Sequence, residues 1–154
     1  MSVKEFVLKK LEENRGIPLS GEAIANSLSV SRAAVWKAVR ALEAEGYHIE
    51  AVPNQGYTLC TDNDLLSTQG ILPYLTPPLK SREIRVFPCL PSTNQEAKRM
   101  ALESAEQGSA VLAEEQSAGR GRLGRSFFSP RGNGLYMSVI LRPKADVSNA
   151  VLIT

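Results

Sequence analysis

Apolar positions at the start of the chain recur at helical spacing. Val3, Phe6, Val7 and Leu11 share a face at about 100° per residue, behind a Ser2-x-x-Glu5 capping signature. The helix they predict should fray around 14–16, and Pro18 marks a break. Ser20 then caps a short second helix carrying Ile24 and Leu28. After the polar turn 29–31, Ser31 caps a third helix running to about residue 45, where Gly46 suits a left-handed helix end. On that third helix Val35, Ala38, Val39 and Leu42 form one apolar stripe. Arg32, Ala33, Trp36, Lys37 and Arg40 project from the other side. Two short extended runs follow, 47–52 and 57–60, joined by Pro53-Asn54-Gln55-Gly56, with glycine supplying the positive φ of a hairpin. Three helices, a three-residue turn between the last two, and then a hairpin is the order of a winged helix-turn-helix.

The pattern changes beyond residue 61. Pro73, Pro77 and Pro78 surround an apolar patch over 65–75, which predicts a short helix and a linker. A strand over 83–90, a helix over 94–105 and a second strand over 110–115 lead into an arginine–glycine loop, 117–133. The third strand, 134–141, is apolar almost throughout, as a strand buried on both faces would be. The last residues, 146–154, predict the opening turns of a helix capped by Asp146 or Ser148, and an apolar end to an unfinished helix predicts a fragment. The class expected is α+β. Residues 1–62 form the winged unit, 63–81 a linker with a short helix, and 82–154 a second, truncated domain whose three strands make a thin core.

Composition narrows the setting. The 154 residues are 43% hydrophobic and 22% charged, within globular averages, so disorder and fibrous structure are excluded. No apolar run nears the ~20 residues that cross a bilayer, and the charged N-terminus does not resemble a signal peptide. Cys60 and Cys89 lie far apart with no CxxC spacing, which argues for a reducing compartment and against a zinc site. The expectation is a cytoplasmic protein with no metal site and no membrane partner. Net charge is +2, but residues 1–60 balance seven basic against seven acidic groups, while four arginines fall within 120–131. Any polyanion must therefore be read by local clusters.

Two such clusters carry chemistry. On the third helix Arg32, Lys37 and Arg40 could reach phosphates or base edges in a major groove, with Asn54 and Gln55 on the wing adding backbone contacts. DNA binding is the favoured reading; a solvated surface or a protein-binding module is the alternative, since the unit carries no net charge to strengthen the electrostatic case. His48, the sole histidine, stands at a strand start with no second ligand nearby and reads as structural. In the second cluster, Gly119-Arg-Gly121-Arg-Leu-Gly124 matches a dinucleotide fingerprint letter for letter. That fingerprint must open a helix, and the following Ser-Phe-Phe-Ser-Pro130 forbids one. What survives is a glycine-jointed loop with Arg120, Arg122 and Arg125 at close spacing. Its guanidiniums can hold carboxylate or phosphate bidentately, and the loop makes sense only if something anionic closes it.

The run from Glu114 through Pro130 and on to Ser138, with Pro91-Ser92-Thr93-Asn94-Gln95, closely resembles the biotin–protein ligases. Joined to Ser31-Arg-Ala-Ala-Val-Trp36-Lys37 and a wing reading Val52-Pro-Asn-Gln-Gly-Tyr, it is similar to the bifunctional kind that also represses the biotin operon. The resemblance implies a class II synthetase-like α/β ligase domain after the winged unit. It implies a two-step reaction, in which biotin and ATP, with Mg²⁺, give biotinyl-5′-AMP and a carrier-protein lysine of a carboxylase then displaces AMP. By the same resemblance, Ser92, Thr93, Asn94 and Gln116 lie at the biotin ureido ring. Arg120, Gly121 and Arg122 hold its carboxylate and the adenylate phosphate. Arg122 and Arg125 contact phosphate, and Phe127 packs on adenine. Ser31, Arg32, Ala33, Trp36, Lys37, Arg40, Asn54 and Gln55 lie at operator DNA, bound by an adenylate-induced homodimer. Leu123, Phe127 and Pro91 depart from common family residues (arginine, tryptophan and aspartate). The family's K-W-P-N-D-L-like segment occurs nowhere in these residues, so no biotinylation is expected from this chain alone. A regulator whose ligase-like domain only senses biotin or a related acyl-adenylate is the alternative.

Overall fold

The structure, a computed structural model, describes residues 1–143. The helix expected over 146–154 lies outside the described residues. The chain divides into two compact units, Met1–Leu75 and the residues from Thr76 onward.

The first unit holds α1 (Val3–Glu13), α2 (Gly21–Leu28), α3 (Arg32–Ala44), β1 (Ile49–Val52), β2 (Gly56–Leu59) and α4 (Thr68–Ile71). Its helices begin where serine can cap them. The hydroxyls of Ser2, Ser20 and Ser31 accept from the amides of Glu5, Ala23 and Ala34, and the Glu5 carboxylate in turn accepts from the Ser2 amide. The predicted stripe on α3 is fully buried and meets Val7 and Leu11 of α1 and Ile24 of α2. β1 and β2 pair antiparallel, placing Ile49 opposite Leu59, and both side chains turn into that core. Leu19 pairs with Tyr57 through two backbone bonds of 2.9 Å, which docks the hairpin on the α1–α2 connection. This third bridging segment was not visible in the hydropathy pattern, since one residue has no period. Gly56 is required there: at φ 115°, a Cβ would lie 1.9 Å from the Leu19 carbonyl oxygen. Residues 63–71, expected as linker, pack within this unit. α4 lies against α1, and Arg15 bridges the buried Glu12 (2.7 Å) and the Asn63 carbonyl (2.6 Å).

The second unit holds α5 (Pro77–Lys80), β3 (Ile84–Phe87), α6 (Thr93–Leu102), β4 (Ala110–Ala113) and β5 (Tyr136–Val139). The sheet order is β3-β4-β5. β3 and β4 run parallel, joined by α6, and β5 is antiparallel to β4. Central β4 is buried at every position, as its unbroken apolar sequence requires, and Met100 of α6 packs with Val111 and Ala113. β5 does not follow the expectation of burial on both faces. Tyr136, Ser138 and Ile140 turn inward, whereas Leu135, Met137, Val139 and Leu141 are exposed. β5 is an edge strand, and α6 covers only one face of it among the described residues.

Candidate functional site

A cleft of the second unit opens where α6 begins. Its volume is about 480 Å³, and it is lined by Ser92, Thr93, Asn94, Gln116 and Arg120 together with residues 135–139 of β5 and its approach. Gln116 organises it. Its backbone pairs with Leu90 on one side and Ser129 on the other, so its carboxamide is fixed at the end of the sheet. The carboxamide oxygen accepts from the Thr93 amide (2.8 Å) and the Thr93 hydroxyl (3.1 Å), while Nε2 donates to Ser129 Oγ (3.2 Å). Ser138 Oγ completes the ring, 2.9 Å from Thr93 Oγ1 and 3.0 Å from Asn94 Oδ1.

Ser92 behaves unlike the other helix-capping serines. It occupies the cap position of α6, yet its side chain makes no capping bond, and Gln116 satisfies the Thr93 amide instead. A buried hydroxyl released from capping is free to serve a ligand. α6 itself is held to the sheet by Arg85, which reaches Glu96 at 3.0 Å. The hydrogen bond from Arg99, and then that from Arg85, keeps the Glu96 carboxyl below the usual carboxylate range.

The loop after Gln116 folds back as a narrow turn. Phe127 N–H donates to the Gly119 carbonyl (2.9 Å) and Gly121 N–H to that of Arg125 (2.7 Å). Gly119 sits so close to the returning strand that a Cβ would lie 2.5 Å from the Phe127 carbonyl oxygen. At the tip Leu123 adopts φ 57° and is 95% exposed, an unfavourable conformation for a branched apolar side chain. Of the residues singled out by sequence, the cleft brings together Ser92, Thr93, Asn94, Gln116 and Arg120. Gly121, Arg122, Arg125 and Phe127 stand outside its lining, on the exposed turn. Arg120, Arg122 and Arg125 have no carboxylate partner among the described residues, whereas Arg131 is tied to Glu114 (3.1 Å). Sequence reading missed the β5 wall. Ser138, a lone hydroxyl inside an apolar run, was its only signal.

In the first unit Ser31, Arg32, Ala33, Trp36, Lys37 and Arg40 are all exposed on α3. The Ser31 hydroxyl is occupied by the Ala34 amide. Arg40 lies over the Trp36 ring (5.6 Å to its centroid) and pairs with Glu43 (3.0 Å), which tempers its charge. Asn54 and Gln55 are exposed at the hairpin tip, where Asn54 takes φ 61°. Arg32 and Lys37 are the cations of this face without a carboxylate partner among the described residues.

Comparison with known proteins follows this division. An HTH domain family matches residues 3–58, and the Biotin/lipoate A/B protein ligase family matches residues 86–154. The chain is similar to the Bifunctional ligase/repressor BirA of Bacillus subtilis, at 38% identity over 136 residues. It is also similar to the protein of that name from Escherichia coli, at 39% identity over 132 residues. These alignments take in 88% and 86% of this chain but only 42% and 40% of the relatives, so the chain spans about two fifths of their length.

Proposed function

We propose that, over the residues it shares with them, the chain is of the bifunctional ligase/repressor type, its second unit supplying the biotin-adenylating site and its first unit binding operator DNA. The polar ring around Gln116 carries this reading. A ureido head group presents two N–H donors and a carbonyl acceptor. Asn94, Thr93, Ser138 and the uncapped Ser92 offer acceptors and donors at one end of the cleft, and residues 135–139 line the wall beside them. Arg120, which lines the same cleft, pairs with the carboxylate at the far end of the substrate.

In the first step a biotin carboxylate oxygen attacks the α-phosphorus of ATP, the bond to pyrophosphate breaks, and biotinyl-5′-AMP forms. Both reactants are anions, so the protein must neutralise charge and hold them in line. Arg120 orients the carboxylate, and Arg122 and Arg125 meet the phosphates. Phe127 packs on the adenine. The Gly121 amide is engaged by Arg125, so it reaches the phosphate only when the tip of the turn opens. Mg²⁺ enters bound to ATP. In the second step a carrier-protein lysine attacks the acyl carbon and AMP leaves. In the first unit Arg32 and Lys37 contact phosphate or base edges, and two copies brought together as an adenylate-bound homodimer read an operator with two half-sites.

The test is a chimera in which residues 82–154 replace the matching segment of the Escherichia coli relative. Biotin-dependent pyrophosphate release is expected, and Arg120→Ala should lower it about tenfold or more by removing a charge-assisted contact of roughly 1.5–3 kcal/mol. Arg120→Lys should restore it only in part, because a point charge cannot grip both oxygens. A chimera that binds biotin without releasing pyrophosphate would replace this reading with a sensor.

A further inference from the structure

The hairpin of the first unit gathers side chains that sequence separation hides. β1 and β2 pair with Ile49 opposite Leu59, so positions 48 and 60 stand opposite one another, joined by a 2.9 Å bond from the Cys60 amide to the His48 carbonyl. Ile49 and Leu59 turn into the core, which sends His48, Glu50 and Cys60 to the outer face. There a ring nitrogen of His48, a carboxylate oxygen of Glu50 and the Cys60 sulfur all lie within 4.8 Å of one another. Asp62 adds a second carboxylate, 3.2 Å from His48 Nδ1. The backbone beneath is fixed: the His48 amide donates to Asn63 Oδ1 (3.1 Å), and Arg15 holds the Asn63 carbonyl.

We propose that the base of this hairpin is a divalent-metal site, with His48, Glu50 and Cys60 as ligands and Asp62 orienting the imidazole, for an ion of the zinc class. The donor set decides the class. One imidazole, one thiolate and one carboxylate suit a borderline ion such as Zn²⁺, whereas Mg²⁺ and Ca²⁺ take oxygen alone. Tetrahedral zinc with ligands at about 2.0–2.3 Å needs donors roughly 3.5 Å apart, so rotamer adjustment of surface side chains closes the site. Three protein ligands leave a fourth position open to water or to a residue of a partner. The bound ion would cross-link the two arms of the hairpin at the end opposite the Asn54–Gln55 tip, and so stiffen the segment that presents the tip.

Anaerobic titration of the reduced chain with Co²⁺, a spectroscopic stand-in for Zn²⁺, tests this. One equivalent should bind with a sulfur-to-cobalt charge-transfer band that zinc abolishes. Cys60→Ser should remove the band and Cys89→Ser should keep it. His48→Gln should weaken binding at least tenfold, and Asp62→Asn by about tenfold to a hundredfold. Zinc should also raise the Tm of the native chain but not that of Cys60→Ser, whose circular dichroism must stay native. A band that survives Cys60→Ser, one that depends on Cys89, or binding indifferent to His48 would each overturn the site.

Discussion

Single residues do most to fix both surfaces, and they act through geometry more than charge. Gly56 shows the strongest constraint. Its positive φ could be strained into place by alanine, but the 1.9 Å approach to the Leu19 carbonyl could not. Gly56→Ala should therefore destabilise the first unit by more than the ~1–3 kcal/mol of backbone strain alone, and thermal melts by circular dichroism read this as a fall in Tm. Gln116 plays the corresponding part in the second unit, since its carboxamide satisfies the Thr93 amide that Ser92 leaves uncapped. The sequence names Ser92, Thr93, Asn94 and Gln116, but only through a family motif. That Gln116 bonds to Thr93 across 23 positions depends on strand pairing, which no local pattern encodes.

The elements were the most legible level. Capping serines and apolar stripes placed α1, α2 and α3 almost to the residue, because a helix is decided by neighbours three and four positions apart. β5 was misread for the opposite reason. An apolar strand is apolar whether it is central or at an edge, and only the sheet order tells which. At this scale α3 gives a clear expectation. Lys37→Ala, which removes an unpaired surface cation, should weaken operator binding and lower the slope of log affinity against log salt by about one, as measured by fluorescence anisotropy across a salt series. Arg40→Ala should alter the slope less, because Glu43 already neutralises part of its charge. For α6 the relevant group is Glu96. Its carboxyl titrates below its ordinary 4.5 through bonds from Arg99 and Arg85. A depressed folded value gives stability that is present above the unfolded value and lost as pH falls through the folded one. Tm should accordingly fall as pH drops below the ordinary value of 4.5, and Glu96→Gln should flatten part of that fall.

At the scale of the whole molecule, the order of a winged helix-turn-helix and a separate strand-bearing unit was readable from punctuation, whereas the ligase-like character of that unit was read only through the family motif. Serine caps, prolines around 73–78 and the change from helical to extended spacing mark the two units. The exact seam was not: α4 is short and polar at its start, and its attachment to α1 rests on packing around Glu12 that spacing cannot predict. The arginine loop was read from the sequence as anion chemistry, but its form as a turn whose tip stands outside the cleft was not legible there. The proposed site therefore has two separate parts, a preformed polar end proposed for the ureido group and a guanidinium turn proposed for the anionic end.

Titrating the ¹⁵N-labelled chain with biotin, and in parallel with its uncharged carboxamide, tests that separation most directly. The amides of Thr93, Asn94, Gln116 and Ser138 should shift with both compounds, Arg120 only with the carboxylate, and residues 1–75 with neither. Shifts that bypass Thr93 and Gln116, or an Arg120 response identical for acid and amide, would contradict the assignment.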